Sequence, residues 1–191
     1  MVNASKAHIG IGDMKPIISP NVRIRYQDRF EIGSFSIVDD YCYFSTRVRI
    51  GLCSHVGNNC SIGGGPQRLF SLGDFSSLSA GVRVWCTSND FAKDLITIVP
   101  SAAGDIGDNP ITGDVVFENY TGAGANSVIM PDNVVPEGTI IGALSYVPTH
   151  FPFDPWTVYA GAPIRRVGAR DRDRVLAQVE LIRQRLNELS K

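Results

Sequence analysis

The run Ile32-Gly33-Ser34-Phe35-Ser36-Ile37-Val38-Asp39-Asp40-Tyr41-Cys42-Tyr43-Phe44-Ser45-Thr46-Arg47-Val48-Arg49-Ile50-Gly51 returns an apolar residue at every sixth position. The register continues through Val56 and Ile62. Gly33, Asp39, Ser45, Gly51, Gly57 and Gly63 stand directly after the apolar residue, and Ser36, Cys42, Val48, Ser54 and Cys60 stand four places on. An α-helix repeats every 3.6 residues and a half-buried strand every two, so neither accounts for this period. After a Gly63-Gly64-Gly65-Pro66 interruption, Leu72, Leu78 and Val84 restore the register, and Ile111, Phe117, Ala123, Ile129, Val135, Ile141 and Val147 extend it. These sixteen hexads, three to a triangular turn, predict a parallel solenoid of about five coils whose apolar residues stack inward from coil to coil. The small residue at the fourth place is expected near a corner, and glycine beside the apolar position is expected to serve unusual backbone angles. An antiparallel sandwich would show period-two alternation with irregular turns instead.

With 191 residues, 43% of them hydrophobic, the chain suffices for one core plus a short tail. Lys and Arg number 18 against 19 Asp and Glu, which leaves no basic excess of the kind that neutralises a phosphate backbone, so nucleic acid is excluded as a partner. The opening MVNASKAHIGIGDMK lacks the pattern of a secretory leader, and no stretch has the roughly 18 apolar residues of a membrane span. The expectation is a soluble, cytoplasmic protein without membrane insertion. Cys42, Cys53, Cys60 and Cys86 form no CxxC pair and are expected to be reduced. Past the repeat, Val175, Val179, Ile182, Leu186 and Leu189 form one apolar stripe at helical spacing. That stripe predicts an amphipathic C-terminal helix that caps the open end of the prism or packs on a neighbouring subunit.

The hexads, together with Gly122–Pro148 (GAGANSVIMPDNVVPEGTIIGALSYVP) and Tyr159–Gly168 (YAGAPIRRVG), resemble the hexapeptide-repeat acyltransferases with a left-handed parallel β-helix. The likeness covers roughly residues 16–163 and is strongest at the final coils and the basic closing element. It implies a left-handed coil, a homotrimer with active sites between subunits, and acetyl-CoA as donor. The organisation expected is an N-terminal segment 1–15, a catalytic β-helix 16–163 with an external loop 85–110, and a closing element plus helix 164–191. By the same resemblance, Ala125 and Ala143 match positions where pantetheine approaches backbone groups, and Arg165 and Arg166 match a basic element that binds coenzyme A phosphates. Guanidinium suits phosphate through its paired donors, although two solvated arginines remain the alternative.

The 26 residues between Val84 and Ile111 leave the repeat, and long loops in regular folds usually carry function. In the related sugar and xenobiotic acetyltransferases such an insertion helps form the acceptor pocket and often holds a histidine base. Here the corresponding place reads Ser88-Asn89-Asp90, and the only histidines in the chain are His8, His55 and His150. A hydroxyl nucleophile must lose its proton during attack, and a positioned base supplies about 10²–10⁴-fold. An amine with a pKa of about 8 is already about one-tenth neutral at pH 7 and needs chiefly placement and oxyanion stabilisation. The absence of a loop histidine therefore favours N-acylation of an amino sugar over O-acylation, and the resemblance implies that the acceptor is a nucleotide-linked deoxyamino sugar for surface polysaccharide (O-antigen) synthesis. Asn89 would orient the amine and Asp90 would accept its proton, or the two form a plain turn or capping pair. His55, at the end of a hexad, is a base or acceptor contact, or else a surface residue of its coil. The competing function is an O-acetyltransferase acting on a sugar, lipopolysaccharide or xenobiotic hydroxyl with His55 as base. A zinc enzyme of this fold would need three converging histidines, so no metal is expected. An ice-binding prism would show a flat row of exposed threonine and no long loop, and neither feature is present.

Overall fold

The computed structural model describes residues 15–90, Ala92 and 110–189, so His8, most of the N-terminal segment 1–15 and the middle of loop 85–110 lie outside the described residues. The backbone winds as a three-sided prism of parallel rungs. The first face stacks β1 (Ile17–Ile18), β4 (Ile37–Val38), β6 (His55–Val56), β8 (Ser77–Leu78), β13 (Gly122–Ala123), β16 (Ile140–Ile141) and β18 (Thr157–Ala160). The second face stacks β2 (Arg23–Ile24), the first halves of β5 (Tyr43–Ile50) and β7 (Ser61–Leu72), β9 (Arg83–Trp85), β14 (Val128–Ile129) and β17 (Tyr146–Val147). The third face stacks β3 (Phe30–Ile32), the second halves of β5 and β7, β12 (Val115–Phe117) and β15 (Asn133–Val135). Six coils result, with β18 opening a seventh, one more than the hexad count predicts. The extra coil is the first: Ile18 and Ile24 keep the spacing of six, but the 3₁₀ turn Gln27–Arg29 delays Ile32 and hides the register.

Every repeat position from Ile32 to Val84 and from Phe117 to Val147 points inward and is at most 3% exposed. Ile111 is the exception. It is half-buried in the stem of the external loop, and the core resumes at Val115 and Phe117. The fourth-place residues are buried as well, and their chemistry is more specific than small size. Ser36 Oγ donates to the Gly51 carbonyl at 2.7 Å, Ser54 Oγ to Gly73 at 2.7 Å and Ser127 Oγ to Gly142 at 2.9 Å, while the Cys42 thiol donates to Gly57 at 3.1 Å. At these corners a buried carbonyl is thus satisfied by a short donor from the adjacent coil, as burial requires.

The glycines beside the apolar positions have a different purpose from the one expected. The left-handed backbone falls three places after the apolar residue, at Phe35, Tyr41, Cys53, Asn59, Phe75, Tyr120, Asn126 and Leu144, with φ between 50° and 61°. Gly33, Gly51 and Gly124 are instead positions of close approach. A Cβ on Gly33 would lie 2.7 Å from the Gly51 carbonyl carbon, and one on Gly124 would lie 2.3 Å from the Ala143 nitrogen. Coil stacking at the turns, where rungs draw together, excludes any side chain there.

The tail forms the expected helix but does not cap the open end of the prism. Helix α1 (Arg172–Leu189), capped by Asp171 Oδ1 accepting the Arg174 N–H at 3.0 Å, lies along the edge between the third and first faces. That edge carries an aromatic ladder in which Phe75, Tyr120 and Trp156 succeed one another at 6.1 Å between ring centroids. Arg172 stacks over Trp156 at 5.7 Å and Arg183 over Phe75 at 5.6 Å, while Arg170 donates to the Tyr120 and Gly138 carbonyls. An 18-residue helix is about 27 Å long, enough to run back across several rungs. The helix therefore straps the prism's side; Val179 is its buried anchor and Ile182 turns outward at 44% exposure.

Candidate functional site

The edge between the first and second faces changes character along the prism. In the early coils it opens with Asp39-Asp40 and Gly57-Asn58, and from the fourth coil with Ser79-Ala80, Gly124-Ala125, Gly142-Ala143 and Ala160-Gly161, stacked in register, with exposed Asn126 and Leu144 following at the corner. Neighbouring positions along this strip are about one rung, ~4.8 Å, apart. The Leu144 N–H donates to the Ala125 carbonyl, but the N–H groups of Ala125 and Ala143 donate to no acceptor among the described residues. The strip is thus a row of glycine and small side chains that offers two unused backbone donors. At its C-terminal end β19 (Arg165–Ala169) pairs antiparallel with β18, setting Arg165 opposite Ala160 and Arg166 opposite Tyr159. Both arginines are exposed and have no ion-pair partner among the described residues. Ala125, Ala143, Arg165 and Arg166 are therefore brought to one edge, and the strip extends to Ala80 and Gly161.

The strip's other end meets His55. Its Nε2 lies 2.8 Å from Asp39 Oδ2, both side chains half-exposed, so the imidazole is held by a carboxylate from the preceding coil. Asp39 was missed in the sequence reading, although the register that sets Ile37 beside His55 also places Asp39 diagonally next to it.

Asn89 and Asp90 lie elsewhere. The external loop leaves from the edge between the second and third faces through a two-stranded antiparallel stem, β10 (Thr87–Asn89) with β11 (Pro110–Thr112), in which Asn89 pairs with Pro110. The stem is anchored by Thr87 Oγ1 donating to Gly64 and by Arg68 donating to Thr112 Oγ1 at 2.8 Å. Asp90 Oδ1 accepts the Ala92 N–H at 3.1 Å, so the carboxylate also shapes the turn that follows. Within one chain, then, His55 joins the strip, while Asn89 and Asp90 stand across the second face from it. The thiols lie outside these features: burial pushes Cys86 up to about 12 and raises Cys53, and all four cysteines are free. Among the described residues no three His, Cys, Asp or Glu side chains converge on a point.

No family model matches the chain. A dTDP-4-amino-4,6-dideoxy-D-glucose acyltransferase of Escherichia coli is 26% identical over 150 residues, covering 76% of this chain and 74% of that one. The crystal structure of AntD, an N-acyltransferase from Bacillus cereus in complex with dTDP and 3-hydroxybutyryl-CoA, matches with a TM-score of 0.79 and 29% identity over 89% of this chain and 88% of that one. In sequence and in fold the chain resembles the hexapeptide-repeat acyltransferases. A cysteine-for-serine variant of AntD, in complex with dTDP-4-amino-4,6-dideoxyglucose and coenzyme A, matches with a TM-score of 0.80 and 28% identity over 90% of this acyltransferase and 89% of that chain. The coil of this acyltransferase is accordingly the left-handed parallel β-helix. Among its described residues, no helix is long and apolar enough to cross a membrane.

Proposed function

We propose that this acyltransferase moves an acyl group from acyl-CoA, with acetyl-CoA as the donor, to the amino group of a dTDP-linked 4-amino-4,6-dideoxyhexose. The observation that carries the reading is the likeness to AntD across nine-tenths of both chains, joined to the strip of glycine and small side chains that ends at Arg165 and Arg166. The strip fits pantetheine: Ala125 and Ala143 carry only methyl groups there, and their N–H groups are free to donate to its amides. Arg165 and Arg166 would take the coenzyme A phosphates.

In the transfer, the neutral amine attacks the thioester carbonyl, the new C–N bond forms, and the C–S bond breaks as the oxyanion collapses. The thiolate leaves, and the surplus amine proton passes to a carboxylate or water. Asn89 would orient the amine through its side-chain carbonyl and Asp90 would receive the proton. Because Asn89 and Asp90 stand across the second face from the strip, the working site joins the strip of one subunit to the loop of another, and the protein acts as a homotrimer. Exposed Val134, Leu144, Tyr146, Leu181 and Ile182 supply apolar surface for such contacts. Both substrates are anionic and membrane-impermeant, which sets the reaction in the cytoplasm, upstream of O-antigen assembly. The test is steady-state release of free thiol from acetyl-CoA and 3-hydroxybutyryl-CoA with dTDP-linked 3-amino and 4-amino deoxysugars and their hydroxyl counterparts. Turnover confined to one amine supports the proposal, and turnover confined to hydroxyl sugars overturns it.

One observation favours the second reading, O-acylation. The His55–Asp39 pair at the end of the strip has the arrangement of a base oriented by a carboxylate. Under N-acylation, His55→Ala keeps kcat/KM within about threefold; under O-acylation it loses about 10²–10⁴-fold.

A further inference from the structure

The second face, between the donor strip and the external loop, carries a chemistry that the transfer step does not use. Its outward positions present Arg23, Arg25 and Arg83 together with Tyr43, Trp85 and Tyr146, and no carboxylate. Arg23 is committed to Tyr43, its guanidinium 5.7 Å from the ring centroid, and Arg83 donates to the Asn59 and Gly81 carbonyls. Arg25 has no side-chain hydrogen bond or ion pair among the described residues. Trp85 is the last residue of β9, at the foot of the stem that carries Asn89 and Asp90, and is 36% exposed. Its indole lies down across the preceding coil. A Cβ built on Gly63 would sit 3.1 Å from Trp85 Cζ3 and 3.3 Å from Cε3, and 3.2 Å from Ser45 Oγ. Gly63 therefore leaves the room in which Cε3 and Cζ3 of the ring lie against the preceding coil, while about a third of the residue stays open to solvent. Ser45 lies next along the column and Arg25 beyond it, one rung further.

A large, partly exposed aromatic ring packed over a glycine, on a face whose outward positions carry three arginines and no carboxylate, matches a ligand that combines a planar ring with negative charge. Base stacking on an aromatic side chain is strong and needs no hydrogen-bond code, and a nearby guanidinium complements phosphate. We infer that Trp85, packed over Gly63, is the stacking platform for the nucleobase of the nucleotide-linked acceptor, with Arg25 as a contact for its diphosphate. The inference rests on the nucleotide-sugar reading above and adds the place where the nucleotide binds. From Trp85 to Asn89 is four extended residues, about 13 Å at most, so the platform and the loop carboxamide lie within the reach of one nucleotide sugar.

Only Trp85 and Trp156 are tryptophans, and Trp156 belongs to the distant ladder under α1. In a Trp156→Phe background the emission reports on Trp85 alone. Titration with dTDP is expected to quench it, and calorimetry on the same protein gives the affinity. Trp85→Ala is expected to weaken dTDP binding about 5- to 150-fold, the range for loss of one base–aromatic stack, and Trp85→Phe to recover most of it. Arg25→Ala should weaken inorganic pyrophosphate and dTDP alike, whereas Trp85→Ala should leave pyrophosphate binding unchanged. The KM for acetyl-CoA should stay at the parent value in Trp85→Ala, which separates loss of the platform from damage to the coil. If Trp85→Ala binds dTDP as tightly as the parent while the parent acylates the amino sugar, this inference falls and the proposed function stands. If the parent binds no dTDP by calorimetry, both fall.

Discussion

Gly33→Ala tests the packing argument at one atom. The added Cβ would sit 2.7 Å from both the carbonyl carbon and oxygen of Gly51 and 2.9 Å from the Leu52 nitrogen, all backbone atoms of the next coil. Ordinary van der Waals contact begins near 3.5 Å, so two coils must separate by several tenths of an ångström at a place where both are hydrogen-bonded, through Gly33 N–H to the Ile50 carbonyl at 2.9 Å. Overpacking of this kind costs about 1–3 kcal/mol. For a chain of this size each kcal/mol moves Tm by about 2–4 °C, so a fall of roughly 2–12 °C is expected at fixed protein concentration. Gly168→Ala is the control, because a Cβ there meets nothing within 4 Å and the backbone is not left-handed. The assay is thermal melting by circular dichroism, with turnover at 25 °C showing that the surviving fold is native. A Gly33→Ala protein melting within about 1 °C of both the parent and the control would refute the claim that these glycines exist for coil-to-coil contact.

Other outcomes follow from the site. Asp90→Ala and Ala143→Trp should each nearly abolish transfer, yet mixed and reassembled hybrids should regain roughly a quarter of the parent rate, since that share of inter-subunit sites has both halves intact; no recovery would place the site within one chain. Arg165→Ala with Arg166→Ala should raise the KM for acetyl-CoA about tenfold and leave the KM for the amino sugar unchanged, measured by the thiol-release assay. Burial holds the Cys86 thiol up at about 12 and also raises Cys53, and only Cys53 is more than marginally exposed. A thiol reagent at pH 8 should therefore label the native enzyme at Cys53 alone and slowly, as read by peptide mass spectrometry, whereas fast labelling of Cys86 would contradict its burial.

The repeat was legible because its cause is local: an inward residue every six positions has to be apolar in each coil, whatever lies outside it. Its first coil was obscured by a short 3₁₀ turn, and Ile111 read as core because a stem strand can hold an apolar residue at the right spacing by coincidence. Ala125, Ala143, Arg165 and Arg166 could be singled out from the resemblance alone, and the stacking of coils explains why they share one edge. His55 was visible but its partner Asp39 was not, since the pairing is diagonal between coils. The route of α1 was not legible either. Its docking depends on the aromatic ladder of Phe75, Tyr120 and Trp156, residues spread over more than 80 positions and united only by the stacking of turns. Trp85 belongs to the same class: its significance comes from the glycine one coil below, which the linear sequence separates from it by 22 residues.

The bond made in the product tests the central claim most directly. After incubation with acetyl-CoA and dTDP-4-amino-4,6-dideoxyglucose, the acylated nucleotide sugar should resist hydroxylamine, as an amide does, and its mass should show one added acyl group. A product that loses its acyl group to hydroxylamine is an ester, and would contradict N-acylation and shift the chemistry to His55 and Asp39.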